Sequence, residues 1–595
     1  MPALIPVLKH ATAQALQAVY GLSLSANEVT VQPTRKEFEG DFTIVLFPFT
    51  RHKIGSPEEI GTKLGDYLVA NEPIFSAYNL IKGFLNLTLA DTFWRSFTAG
   101  SLSDTGFFLT EQGKGQKVVV EYCSPNTNKP LHLGHLRNIV LGDSLSRVLA
   151  ANGFDVHPTC LFNDRGSNIS KSMYGWKMFG NGETPENSGR KGDKIIGDAY
   201  VAFSKLVKQQ IEELVSQGLT KEEAEKQAPA NQAIHDMTVR WEQNDPEVRA
   251  LWQQLNTWVY DAFEDTFRKL GIAFEKYYYE SEVYLRGKET VAEGLNKGVF
   301  YQTEDGSIVC DLTDAGLDKK QMLRSNGTSL YITQDLAVAE EKFNQFGMDR
   351  SIYVVGNEQD YHFKVLFEVL KRLEVPYANG LFHLSYGMVN LPTGKMKSRE
   401  GTTVEADDLL EELLTEVRKQ SEELGKTEGM SDAEKAALHL TLALGALKFF
   451  LVKVDPKKAM VFNPAESIDL QGHTGPFIQY TYARINSLQN LGKEIPAFTP
   501  SETEEQIHEF ERVLLQMLAR YPEVLADAGR EYNPALIANY AYDLAKEFNR
   551  FYQQVPILKG AAPATSAWRL ALTRLTGTAI REAMGLLGIQ VPERM

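Results

Sequence analysis

Cysteine is scarce. Cys123, Cys160 and Cys310 are the only three in 595 residues. Their number and spacing exclude a disulfide framework and a CxxC-type zinc site, and they fit a reducing compartment. Long apolar runs are lacking too: none approaches the ~18 residues of a membrane span, so no membrane partner is expected. No GxxxxGK[ST] loop occurs, so a nucleotide must be held by some other device. Internal repeats and low-complexity tracts are absent. Positive charge is in deficit, with 77 Asp and Glu against 62 Lys and Arg and a net charge of -15. That argues against nucleic-acid binding through bulk charge and leaves local basic tracks open. The opening "MPALIPVLKHATAQALQAVYGLSL" has neither the basic start nor the small-residue cleavage site of a secretory signal. It reads as an amphipathic helix.

A chain this long needs several cores. Residues 1–110 mix helices with short strands and read as a small α+β domain. The polar, Gly-rich "LSDTGFFLTEQGKGQK" then reads as a linker. "KVVVEY" (117–122) is Val-rich, as expected of a strand covered on both faces. A helical pattern follows, with apolar Leu133, Leu136, Ile139, Val140 and Leu149, and it stops at Asn152-Gly153. "DVHPTCLFND" resumes a strand. This is half of a doubly wound sheet, in which ligands sit outside the carboxyl ends of the strands. The Rossmann-type domain is placed at 116–400, with an insertion at about 175–295. Strand–helix alternation is expected to return with "SLYITQDLAVAEEKF" (329–343) and "SIYVVGNEQDYHFKVLFEVLKRL" (351–373). A connecting segment spans 395–435, and 436–595 reads as an all-α bundle. The fold class is thus a multidomain α/β protein: a parallel-sheet domain with an insertion, a small α+β N-terminal domain and a helical C-terminal bundle.

Two stretches carry chemistry. In "EYCSPNTNKPLHLGHLRN" (121–138), His132 and His135 flank Gly134 where a helix should begin. A helix N-terminus offers free N–H groups and positive dipole character to a phosphate. Each imidazole can donate a hydrogen bond to phosphoryl oxygens as charge builds in a transition state. Gly134 would let a flat base lie against the backbone. Pro125 and Pro130 stiffen the loop, Lys129 can reach a phosphate, and Asn126 can bond an amino or carboxylate group. Alone, the two His also fit incidental turn residues; a zinc site lacks a third ligand nearby. The second stretch, "GKMKSREGTT", sets Lys395, Lys397 and Arg399 between glycines, as suits a loop that clamps the β- and γ-phosphates of ATP. Alone, it also fits a solvated basic turn.

Together, "HLGH" after "SPNTNKP" and "KMKSR" after the α/β sheet resemble a class I aminoacyl-tRNA synthetase. "LFNDRG", "GDAYVAF", "LYITQDLA", "VVGNEQDYHFK", "SYGMV", "GPFIQYTYARI" and the closing "LLGIQVPERM" resemble segments of the arginyl-tRNA synthetase family, in its order. The likeness implies ATP-dependent ligation of L-arginine to tRNA(Arg) through arginyl-adenylate. It implies ATP-binding residues His132, Gly134, His135, Lys395 and Met396, and catalytic residues His132, His135, Lys129, Lys395 and Lys397. It implies that Ser124, Asn126, His135, Tyr331, Asp335 and Gln359 hold arginine, with Glu121 adding a carboxylate. A guanidinium needs planar acceptors and opposing charge, and Asp335 and Glu121 would supply both. Asp335 also fits a plain helix N-cap. The class pattern KMSKS carries a second Lys where this chain has Ser398, and Lys129 or Lys397 could replace it. The family's N-terminal domain contacts the tRNA elbow, and its helical bundle reads the anticodon. In that bundle Phe477, Tyr480 and Arg484 share one helix face and would stack unpaired bases, although such a stripe also fits a core. Mg²⁺ is expected to arrive with ATP as substrate, with no tightly bound metal or organic cofactor. A cytoplasmic monomer is expected.

Two competitors are another adenylate-forming ligase of the HxGH superfamily and a non-catalytic RNA-binding paralogue. The first has no need of an anticodon reader. The second could have lost HLGH, Lys395 or Asp335. Arginine-dependent ATP–pyrophosphate exchange, with and without tRNA, separates all three.

Overall fold

Val118, Val119 and Val120 are fully buried, as a strand covered on both faces requires. A computed structural model of the chain, describing residues 4–35, 37–327, 330–390, 404–423, 429–500 and 505–595, makes this run β1 (Lys117–Glu121). It is the centre of a five-stranded parallel sheet with β2 (Asp155–Phe162), β3 (Lys276–Tyr279), β4 (Arg350–Gly356) and β5 (Leu381–Tyr386). The spatial order is β5-β4-β1-β2-β3, and Val119 of β1 lies between Ser351 of β4 and His157 of β2. The chain runs outward from β1 to one edge, then returns to build the other side. The strand order therefore reverses between β1 and β4, and at such a reversal a crevice opens outside the carboxyl ends. The HLGH loop leaves β1 at this point.

Five helices of more than four residues stand between β2 and β3, from Ser167–Phe179 to Pro246–Leu270. The stretch expected to be inserted thus contains β3, a strand of the main sheet. "KYYY" is only four residues long, too short for a strand period to declare itself. A second excursion between β3 and β4 holds the helix Arg286–Asn296 and a three-stranded antiparallel sheet (Tyr301–Gln302, Ile308–Cys310, Lys320–Leu323). Among its described residues, "SLYITQDLAVAEEKF" contributes helix and no strand: Tyr331–Phe346 buries Ile332, Leu336 and Ala339 along one helical face.

Gly113–Glu423 and Phe450–Ile468 form one compact unit; Met1–Gln112, Leu424–Phe449 and Asp469–Met595 form the other. The second unit joins the antiparallel sheet Val31–Pro33, Phe42–Val45, Phe84–Leu89, Phe75–Ile81 to the helical bundle. Charge and aromatic packing make the join. Asp41, fully buried, accepts from Arg512 Nη1 at 2.9 Å, and Arg512 also pairs with Asp91. Phe108 meets Tyr521 edge to face at 5.0 Å.

One helix corrects the expectation about apolar runs. Asp432–Val452 is long and apolar enough to cross a membrane by length and composition, although most of it is buried inside the protein. The three cysteines are free and buried.

Candidate active site

The site begins with a strained turn. Just past β1, Cys123 has φ +56, a left-handed conformation uncommon for a residue with a side chain. Its N–H donates to Asn138 Oδ1 (2.6 Å), and its carbonyl accepts from the Cys160 thiol (2.7 Å). Asn138 Nδ2 donates in turn to the Val354 carbonyl (2.7 Å) and lies 3.1 Å from the Tyr386 hydroxyl. One side chain of the HLGH helix thereby ties the exit of β1 to β4 and β5. Beyond the turn, Asn163 N–H donates to Pro125 O at 3.0 Å, Thr127 N–H to Asn163 O at 3.2 Å, and Asn163 Nδ2 to Ser124 O at 3.1 Å. Ser124 is left half-buried and Asn126 exposed at the crevice edge.

The helix runs Leu133–Ala151, with His132 as its N-cap. His132 Nδ1 accepts from Gly134 N–H (3.1 Å), and His135 Nδ1 accepts from His132 N–H (3.1 Å). Acceptance at Nδ1 puts the proton of each neutral ring on Nε2. The rings lie 3.9 Å apart between centroids. Burial, with Lys129 nearby, pushes His132 down to about 3; burial, His132 and Lys129 hold His135 well below the usual range. The pair is therefore neutral and offers two Nε2–H donors. A Cβ at Gly134 would stand 3.0 Å from His132 Cε1, so the glycine protects the ring's position. Lys129 is half-buried, and desolvation lowers its affinity for a proton.

Lys395, Met396 and Lys397 lie outside the described residues, as do Ser398 and Arg399. The residues that flank them are informative. Leu133 N–H donates to Val404 O at 3.2 Å and Ala406 N–H to Leu131 O at 2.9 Å, with His132 and Glu405 facing each other in an antiparallel bridge. Upstream, Arg137 donates to Met388 O at 3.2 Å. Arg137 is buried and also donates to the carbonyls of Pro456 (3.3 Å) and Lys458 (2.7 Å). Residues just before and just after the lysine-rich stretch are thus fastened to the HLGH helix and its cap. Lys191 and Lys194 add ion pairs to Asp407 (2.7 Å), Asp408 (2.6 Å) and Glu405 (3.0 Å).

The carboxylates are arranged differently from expectation. Glu121 is buried in an ion pair with the fully buried Lys342, whose Nζ lies 4.2 Å from the Tyr353 ring centroid. Lys342 thus balances the Glu121 charge at the end of β1. Asp335 is no N-cap: the helix begins at Tyr331, a turn earlier, and Asp335 Oδ2 lies 2.6 Å from His362 Nε2. Tyr331 is 70% exposed, and Gln359 is exposed at the turn that follows β4. A carboxylate the sequence did not single out, Glu280, follows β3 directly. It is buried; that burial pushes it up to about 7 against the opposing pull of Arg165, and Gln334, Asp164 and Asp335 lie within its reach. A Glu after an aromatic run carries no sequence signal of this kind. His362 and Arg137 were likewise missed, since each looks like an ordinary helical polar residue.

In the helical bundle, Phe477, Tyr480 and Arg484 are each half-buried on the helix Gly475–Leu491. Arg484 lies 4.9 Å from the Tyr480 ring centroid and 5.0 Å from that of Tyr552, and it donates to Asn549. Phe477 packs on Tyr542 at 5.3 Å, and Tyr542 also meets His473 at 4.0 Å. The stripe is half packing and half exposed.

A doubly wound sheet with neutral imidazoles at its reversal point, followed by a helical domain, defines a class I aminoacyl-tRNA synthetase. Residues 101–463 match the family described as "tRNA synthetases class I (R), catalytic domain", and 478–595 match the "DALR anticodon binding domain". The arginine–tRNA ligase of Bacteroides thetaiotaomicron is 50% identical, covering 98% of each chain. That of Flavobacterium psychrophilum is 48% identical, covering 96% of this chain and 97% of its own. The solved structure of Thermus thermophilus arginyl-tRNA synthetase aligns over all of both chains with a TM-score of 0.77 at 25% identity. The chain belongs to the arginyl-tRNA synthetase family and ligates L-arginine to tRNA(Arg), with ATP as substrate.

Proposed function

We propose that His132, His135 and Lys129 hold the triphosphate of ATP, together with the lysine-rich segment that carries Lys395 and Lys397. The observation behind this reading is the pairing of Leu131–Leu133 with Val404–Ala406, which brings the end of that segment to the imidazoles. The carboxylate of arginine attacks the α-phosphorus, giving arginyl-adenylate and pyrophosphate. A terminal ribose hydroxyl of the tRNA then attacks the mixed anhydride. No protein nucleophile is needed; the two Nε2–H groups and the ammonium groups stabilise charge on the phosphates. Mg²⁺ enters as part of the substrate. Among the described residues no three His, Cys, Asp or Glu are grouped to hold a metal, and the donors beside HLGH suit phosphate oxygens rather than a cation.

The guanidinium is held by Asp335, Glu121 and Glu280 beside Tyr331, with Gln359, Ser124, Asn126 and His135 around the rest of the amino acid. Asp335→Ala raises the arginine KM in ATP–pyrophosphate exchange by roughly 10- to 100-fold, the loss of a charged acceptor of about 1.5–3 kcal/mol. An unchanged KM would remove Asp335 from the slot.

Glu280 adds a pH dependence. Below about 7 its carboxyl is protonated in the free enzyme, whereas a bound guanidinium favours the ionised form. Arginine affinity therefore rises with pH up to about 7 and then flattens, with a limiting slope of roughly tenfold per pH unit. Glu280→Gln abolishes the slope in arginine titrations; a slope that survives would clear Glu280 of the role.

In the bundle, Phe477, Tyr480 and Arg484 meet the anticodon arm. Arg484→Ala raises the tRNA KM roughly 5- to 150-fold, the scale of about 1–3 kcal/mol for a stacked base, and leaves the arginine KM in place. Equal shifts in both constants would instead mark a packing role. Residues 1–110 contact the tRNA elbow. The enzyme acts as a cytoplasmic monomer, which a single-chain mass in analytical sedimentation would bear out.

A further inference from the structure

The carboxylate assigned to the guanidinium is already engaged. Asp335 stands one turn into its helix with its side chain 27% exposed, and His362 Nε2 lies 2.6 Å from its Oδ2. His362 belongs to the first turn of the helix Asp360–Arg372, immediately after the Asn357–Gln359 turn that leaves β4. Its own neighbours hold it in place. The ring is edge-on to Phe363 at 5.6 Å, and Phe363 stacks on His383 at 4.3 Å. His383 in turn sets Nε2 3.0 Å from the Val355 carbonyl of β4. A row of three rings thus carries the rigidity of β4 and β5 to the Asp335 carboxylate.

A free carboxylate turns broadly about χ2. A guanidinium presents its donors in a rigid planar fork and binds best to a carboxylate whose plane is already set. One oxygen held by an N–H donor fixes that plane and leaves the other oxygen and its lone pairs for the ligand. The same bond keeps a partly buried charge satisfied while the slot is empty.

The geometry points to His362 as a positioning residue for arginine recognition: its Nε2–H orients Asp335 so that Oδ1 faces the guanidinium. This rests on the assignment of Asp335 to the guanidinium and deepens it. His362 itself touches no substrate atom.

The test measures the arginine dissociation constant by equilibrium dialysis, and KM and kcat in exchange with tRNA present, on the full-length chain. His362→Ala weakens arginine binding about tenfold, the scale of one lost hydrogen bond to a charged group, with kcat and the ATP KM unchanged within about twofold. His362→Gln, which keeps a neutral N–H donor, recovers most of the loss. In an Asp335→Asn background, His362→Ala adds no further loss, because the residue acts only through that carboxylate. The inference is overturned by normal arginine affinity in His362→Ala, by a Gln variant as weak as Ala, or by losses that add in the double variant. Wild-type arginine affinity in Asp335→Asn alone would overturn the prior assignment of Asp335, a separate failure visible in the same experiment.

Discussion

Replacing His132 or His135 with Ala is expected to lower kcat for arginine-dependent ATP–pyrophosphate exchange about 10²- to 10³-fold, the magnitude of one lost oxyanion donor. The reason lies in the tautomer. Each ring spends Nδ1 on a backbone N–H and keeps its proton on Nε2, so neither donor has to change tautomer when charge develops on the phosphates. The arginine KM should move little in the His132 variant, whereas the His135 variant should also raise it, because His135 is assigned to the amino-acid end of arginine. The His132 variant should cost more stability than the His135 variant, since it also removes a helix N-cap worth about 0.5–2 kcal/mol. The pair should leave no inflection in kcat near pH 6.5, because both rings are already neutral there and His132 takes up a proton only near about 3. Rates measured at saturating arginine from pH 5 to 8 check this. An inflection near 6.5 that disappears in the Ala variants would contradict it.

Lys342→Met should be the most damaging change outside the crevice. It leaves Glu121 as an unpaired carboxylate at the end of the central strand, with both residues buried. Breaking one side of a buried pair costs about 3–5 kcal/mol. Glu121→Gln/Lys342→Met should regain much of the stability. Urea unfolding of the parent, single and double variants is the measurement. A single variant as stable as the parent would deny the pair its role.

How far the sequence reaches follows from these same residues. The Val-rich strand, the HLGH helix and its Asn152-Gly153 stop were legible because each is a strong local pattern: a buried run, a helical period, a glycine at φ +82. β3 was not, being four residues within a helical excursion. The pairing of Glu121 was hidden because its partner Lys342 lies more than two hundred residues away, and no period links them. The reverse happened with Glu280. Its carboxyl is raised by burial that only the fold creates, while in the sequence it is one acid among 77 Asp and Glu. His362 needed the approach of two helices to meet Asp335. Local order was thus readable, and charge pairing across the fold was not.

The union of Met1–Gln112 with the helical bundle has a consequence for biosynthesis. Asp41 finds Arg512 only after 471 further residues have left the ribosome, roughly 25–95 seconds at ordinary elongation rates. Until then the nascent N-terminal segment carries a carboxylate shaped for burial without its counter-ion, while most of the polypeptide that closes the nucleotide crevice has already emerged. This early segment is therefore among the last to mature, and a chain stalled before the bundle would display an unfinished surface suited to chaperone capture.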